Sequence, residues 1–272
     1  MSFLVSAASR KSPLLRWAVG GWTFFILENT VLSENRTYLI DRLGDDQYHA
    51  VYGTCSTLAS VSIGYAYWKI RTAKSIPSSL ILWNKNARPP LVHLAVAWTC
   101  FSLGLVMASQ VAPKLQIPVS IASQNGATQF QVRCPFDFSD KHRGNNSSNP
   151  FDTTTVRGLE RITRHPGLWS FGLIGLGQSL MAWNVPLRIW WMGPAAVAWL
   201  GGWHTDSRFR RGMGGTLARS YDAQTSNVPF LAMIRGQQGT GCWDQLFLHE
   251  IKPLNAAIGI AASSLWILKK IR

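Results

Sequence analysis

The apolar residues of this chain gather into about six blocks from which charge is almost absent. A helix built from such a block has no polar face to turn to water, so protein or lipid must surround it on every side. The 27 Lys and Arg and 13 Asp and Glu are crowded into the connections. Mean hydropathy is therefore only +0.04, an average that hides the pattern. The candidate spans are 14–27, 50–68, 91–112, 167–183, 187–203 and 254–268. A helix crossing the hydrocarbon core takes roughly 17–25 residues. The second to fifth blocks meet that length. The first and sixth are short, and either extend by letting Arg16 or Lys269 reach the headgroups or lie partly in the interface. The chain reads as all-α: an integral membrane helical bundle with five or six transmembrane helices, forming one domain over 1–272.

The tryptophans and the charge agree with that reading. Many of the 13 Trp sit near block ends, among them Trp17, Trp68, Trp83, Trp183, Trp203 and Trp266. An indole is favoured at headgroup level because its ring is apolar while its N–H still meets water or phosphate. A net charge of +14 raises the question of nucleic acid. The basic residues Arg16, Lys69, Arg71, Arg164, Lys269 and Lys270 instead flank the blocks, where anionic lipid headgroups would lie. No basic groove interleaved with exposed aromatics is present, which excludes a nucleic-acid partner. The four cysteines form no C-x-x-C pair and have no metal-ligand spacing.

Between the blocks, two connections stand out. Segment 113–157 is polar, rich in Asn, Ser, Gln and Asp, and reads as an extramembrane insertion that cannot order itself alone. Segment 204–253 contains an apolar dip, Leu231-Ala232-Met233-Ile234, consistent with a loop that returns to the interface. The first 27 residues lack Asp and Glu and carry Ser2, Ser6, Ser9, Arg10 and Lys11, either an organelle-targeting stretch or a positively charged flank. An organelle membrane, of plastid or mitochondrion, is the expected location. Pro186 is expected to end the fourth helix, with Asn184-Val185-Pro186 as a tight turn and the fourth and fifth helices as an antiparallel hairpin. Gly172, Gly175 and Gly177 on one arm and Gly193, Ala195, Ala196, Gly201 and Gly202 on the other would let the two backbones approach closely.

Chemistry rests with the histidines. There is no G-x-S-x-G, no phosphate-binding loop and no H-E-x-x-H. Asp45-Asp46 reads as a helix start without a neighbouring His. His165 and His204 flank the open end of the hairpin, so His165, His204, Asp206 and Arg164 are candidates for one interfacial cluster. Ionisable groups at the membrane are functional candidates by default. The alternative is a capping network in which Arg164 and His165 meet headgroups and Asp206 neutralises an arginine.

Three motifs in order, Arg161-Ile162-Thr163-Arg164-His165-Pro166, Trp203-His204-Thr205-Asp206-Ser207-Arg208 and Thr225-Ser226-Asn227-Val228-Pro229-Phe230, separated by an apolar hairpin, resemble the NnrU family of membrane proteins. Within it the chain is most similar to the 15-cis-zeta-carotene isomerases. That resemblance implies a multi-span helical protein binding haem b, whose iron would isomerise the central double bond of a carotenoid held in the bilayer. It also carries over His93, His165 and His204 as family histidines. The two family positions that ligate the iron fall here on Asn29 and on Gln178, twelve residues after Pro166. A nearby family cysteine falls on Gly175. An amide oxygen is a poor axial ligand beside imidazole or thiolate. Three expectations follow from the resemblance. The first is a relative without haem or metal, acting as a membrane subunit or scaffold among lipid and other membrane protein subunits. The second is an active isomerase holding haem through His93, His165 or His204, with Arg164, His165, His204 and Asp206 as candidate catalytic groups. The third is an NnrU-type protein of nitrogen-oxide metabolism.

Overall fold

The computed structural model describes residues 12–111, 119–124, 127–132 and 156–271. Most of the 113–157 insertion, with Cys134 and His142, and the first eleven residues of the charged N-terminal stretch lie outside them.

Helix α1, Pro13–Glu34, opens with proline at its first position, where a missing N–H costs nothing. The short α2, Arg36–Leu43, stops at Gly44, whose φ of 84° only glycine adopts freely. Helix α3, Asp45–Arg71, begins on Asp45 and Asp46 and ends on Lys69 and Arg71, each charge complementing its end of the helix dipole. Contrary to the sequence reading, this acidic pair has a histidine beside it. His49 Nε2 lies 3.5 Å from Asp45 Oδ1, because residues four apart share a helix face.

Helix α4 is Leu91–Val111. Strands β1, Val119–Gln124, and β2, Ala127–Val132, pair antiparallel from Val119↔Val132 to Gln124↔Ala127. This hairpin lies within the segment expected to remain without order. Every other regular element among the described residues is helical. These are α5 (Leu159–Ile162), α6 (Pro166–Met181), α7 (Val185–Arg210), α8 (Arg219–Gln224), α9 (Leu231–Ile234), α10 (Cys242–Asp244), a π-helical turn (Gln245–Glu250) and α11 (Pro253–Ile271).

The blocks that looked short are helices of 22 residues (α1) and 19 residues (α11), while α6 has only 16. Among the described residues, α4 alone is long and apolar enough by itself to cross a bilayer. Cys242–Glu250 and Pro253–Lys270 meet the requirement together but are bent by 90° between them. Helix α6 falls short in length, whereas α1 is long enough but carries polar residues such as Glu28 and Asn29.

The chain forms two compact units that interleave along the sequence. The first comprises Met1–Phe101, Gly172–Ala196 and Ser263–Arg272. In it α1 packs on α3, with Gly21 close enough to Ile63 that a Cβ would stand 3.2 Å from its Cα. Trp190 packs at a tilt against Trp22 and Tyr67, at 5.6 Å and 4.7 Å between centroids, and donates to the Ile63 carbonyl. Leu94, Ala97, Phe101 and Ile267 form a second buried patch. The other unit comprises Ser102–Phe171 and Val197–Ala262, with Val156, Phe209, Leu217 and Tyr221 buried together.

The turn between α6 and α7 corrects the expected role of proline. Helix α6 ends at Met181, and Pro186 lies in the first turn of α7. Asn184 supplies the stop-and-start signal: buried, it accepts the Leu187 N–H on Oδ1 at 2.9 Å. Arg188 turns back and donates to the Ser179 carbonyl near the end of α6. The glycines also distribute differently than expected. A Cβ at Gly175 would lie 2.7 Å from Pro194 on α7, as a hairpin contact requires. Gly177 instead faces Phe101 and Ala97 on α4, and Gly193 faces Trp22 on α1. Two residues advance a helix by about 200°, so Gly175 and Gly177 cannot serve the same neighbour.

Candidate functional site

Arg164 is the organising residue of the second unit. It sits in the short connection between α5 and α6, where its main-chain N–H donates to the Ser226 carbonyl at 2.9 Å. Its guanidinium is 3 % exposed. Nε donates to Thr225 Oγ1 at 3.0 Å and Nη1 to Asp206 Oδ2 at 2.8 Å. Nη2 donates to the Thr225 carbonyl at 2.7 Å and lies 2.8 Å from Asp222 Oδ1. A planar fork of fixed donors is thus matched to acceptors from three segments.

Asp206, near the end of α7, receives Arg164 on one oxygen and His165 on the other, with His165 Nε2 at 2.8 Å from Oδ1. An ionised carboxylate only accepts, so Nε2 carries the proton and donates. Both oxygens of Asp206 are committed. Asp222 joins Arg164 to Arg210, whose Nε and Nη2 each lie 2.8 Å from its oxygens. The hydrogen bond from Arg210, opposed by burial and assisted by the charge of Arg164, holds the Asp222 carboxyl below its usual 3.8. Its folded pKa is lower than the unfolded one, so its contribution to stability is complete above the ordinary carboxylate range. That contribution is lost as pH falls through the depressed value. Wild-type protein should lose thermal stability on acidification below the ordinary carboxylate range. Asp222→Asn should be less stable at neutral pH and show a shallower acid limb in circular-dichroism melts.

Around this core, Thr163 donates to the Asn227 carbonyl at 2.6 Å and Trp169 Nε1 to Asn227 Oδ1 at 3.0 Å. Asn227 Nδ2 donates to the Trp199 carbonyl. Gly202 leaves room for this arrangement, since a Cβ there would run into Asn227 and stand 2.9 Å from His165 Cδ2. Arg161 reaches Glu250 at 2.7 Å, and Gln238 donates to the Arg161 carbonyl.

Three of the four expected cluster residues therefore meet: Arg164, His165 and Asp206. His204 does not share their face. It precedes Asp206 by two residues on one helix, a turn of about 200°, and is half-buried. The arrangement ties the hairpin mouth to the 219–230 segment, and its paired donors and acceptors suit cohesion. Thr225 and Asn227 lay within a motif already singled out. Their function as anchors for Arg164 and Trp169 had no signal in sequence spacing.

The positions where haem ligands would be expected lie in the first unit. Asn29 is fully enclosed. Its Oδ1 accepts from Tyr52 Oη at 2.6 Å. Its Nδ2 donates to Glu28 Oε2 at 2.6 Å and to the Phe25 carbonyl at 2.9 Å. Neither end of the amide is left for a metal. Gln178 is half-buried on α6 and offers only an amide, while the cysteine-equivalent Gly175 is packed on Pro194. These residues do not fit haem. Among the described residues, no group of three or more His, Cys, Asp or Glu could hold a metal ion. His93, also in this unit, lies tilted beside Trp83 at 5.6 Å between centroids, and its buried Nδ1 has no hydrogen-bond partner.

No curated protein and no solved structure matches the chain significantly. The family model described as NnrU protein matches residues 18–267, spanning both units and all three motifs. The chain belongs to the NnrU family.

Proposed function

We propose that this protein is a haem-free member of its family, a multi-pass membrane subunit or scaffold. The observation that carries this reading is the closed amide of Asn29, held between Tyr52 and Glu28 where an axial histidine would be expected. A buried amide with both ends hydrogen-bonded gains nothing by turning to iron, and its oxygen is a weak donor to iron in any case. A fold can persist after its cofactor chemistry is lost.

Membrane residence is supported by large apolar side chains facing outward on several helices: Leu27 on α1, Leu58 and Val61 on α3, Leu265 and Leu268 on α11. In this reading α1, α3, α4, α6, α7 and α11 make five or six spans, with the short α6 the marginal one. In the same reading the segment 204–253 stays at the lipid boundary, with Cys242–Glu250 on the surface; the 90° bend before α11 supports it. An organelle membrane remains the expected location, with lipid and other membrane subunits as partners.

Protein purified in detergent is expected to be colourless, without a Soret band, after expression with haem in excess. A stoichiometric Soret band would overturn the reading. The partnerless Nδ1 of His93 favours one second reading, an active carotenoid isomerase with haem held there. A Soret band lost in His93→Ala but kept in Asn29→Ala would establish it.

A further inference from the structure

Arg208 lies near the end of α7 and is 94 % removed from solvent, with 6 % exposure. Its Nε is buried without an acceptor. The contrast with nearby arginines is direct. Arg164 has a partner for each nitrogen, and Arg210 holds Asp222 with two. A guanidinium cannot shed its proton, so burying one of its donors without an acceptor is costly.

The chain turns directly over this side chain. Gly212 and Gly214 have φ of 72° and 79°, with Met213 between them outside the positive region. Positive φ at both glycines folds a tight turn, and the backbone N–H groups of such a turn can face an anion. The Gly212 and Met213 N–H groups are used by the Phe209 and Arg208 carbonyls. Those of Gly214 and Gly215 donate to no backbone acceptor among the described residues. The absence of a side chain matters here, because a Cβ at Gly214 would stand 3.2 Å from Arg208 Nη2. Arg211 and Arg219 are exposed on either side of the turn, adding positive charge.

We infer that Arg208 and the glycine turn 212–215 form a binding site for a phosphate group. The guanidinium supplies charge and a donor fork, and the turn supplies backbone N–H groups to the remaining oxygens. The phosphate comes either from a lipid headgroup or from free phosphate. The site is independent of whether haem binds in the other unit.

The test uses the full chain in detergent, stripped of phospholipid, titrated separately with inorganic phosphate and with short-chain phosphatidylglycerol while thermal unfolding is followed. Wild type is expected to gain stability with at least one. A response to phosphatidylglycerol alone assigns a lipid headgroup; a response to inorganic phosphate assigns the free ion. Arg208→Gln should weaken the response at least about tenfold, with Arg208→Lys in between because it keeps charge without the fork. Gly214→Ala, which leaves every charge in place, should also weaken it and serves if Arg208→Gln does not fold. Failure of wild type to respond to either ligand overturns the inference, as does a response undiminished in Arg208→Gln or Gly214→Ala.

Discussion

Asp206→Ala is expected to cost about 3–5 kcal/mol, the range for removing one partner of a buried ion pair. The carboxylate and the Arg164 guanidinium are 5 % and 3 % exposed, so water does not replace what is lost. Two donors are orphaned at once, Arg164 Nη1 and His165 Nε2. Arg164 keeps Thr225 and Asp222, which limits the loss but leaves the charge less balanced. Asp206→Asn should fall between wild type and Asp206→Ala, because an amide oxygen still accepts one of the two donors. Thermal melts in detergent measure this directly. An unchanged melting temperature in Asp206→Ala, with a measured activity lost, would move the cluster from cohesion to chemistry.

The second large effect is expected at Gly193. A Cβ there would overlap the Trp22 ring, which is confined by Phe25 at 6.2 Å and Trp190 at 5.6 Å between centroids. Trp190 is itself tethered to the Ile63 carbonyl, so the indoles have little freedom to withdraw. Gly193→Ala should therefore destabilise by about 1–3 kcal/mol, more than offsetting the helix propensity gained by alanine, about 1 kcal/mol. Gly20→Ala provides the control. Nothing lies within 4 Å of its would-be Cβ, so the same change should be neutral or stabilising there. Equal melting temperatures for the two variants would show that the Trp22 packing is softer than its geometry implies.

Helical placement was legible because apolar runs and charged boundaries are local properties of the chain. The α6–α7 hairpin was legible for the same reason, since the arms are apolar and the connection is only residues 182–184. The role of Pro186 was not: proline marks a boundary but does not say which helix it belongs to, and the Asn184 cap decides that. The hairpin also brought His165 and Asp206 within reach of one another. The same reasoning grouped His204 with them, although two residues along α7 turn its side chain about 200° away from that of Asp206.

The sequence by itself determined the family and the helical character, since motif order and apolar runs need no coordinates. Only the tertiary structure revealed that the Asn29 amide is closed by Tyr52, 23 residues away, and that Arg208 Nε is buried without an acceptor. Both depend on which partners meet across the fold. A residue's type fixes how many hydrogen bonds it seeks, but packing alone decides whether they are satisfied.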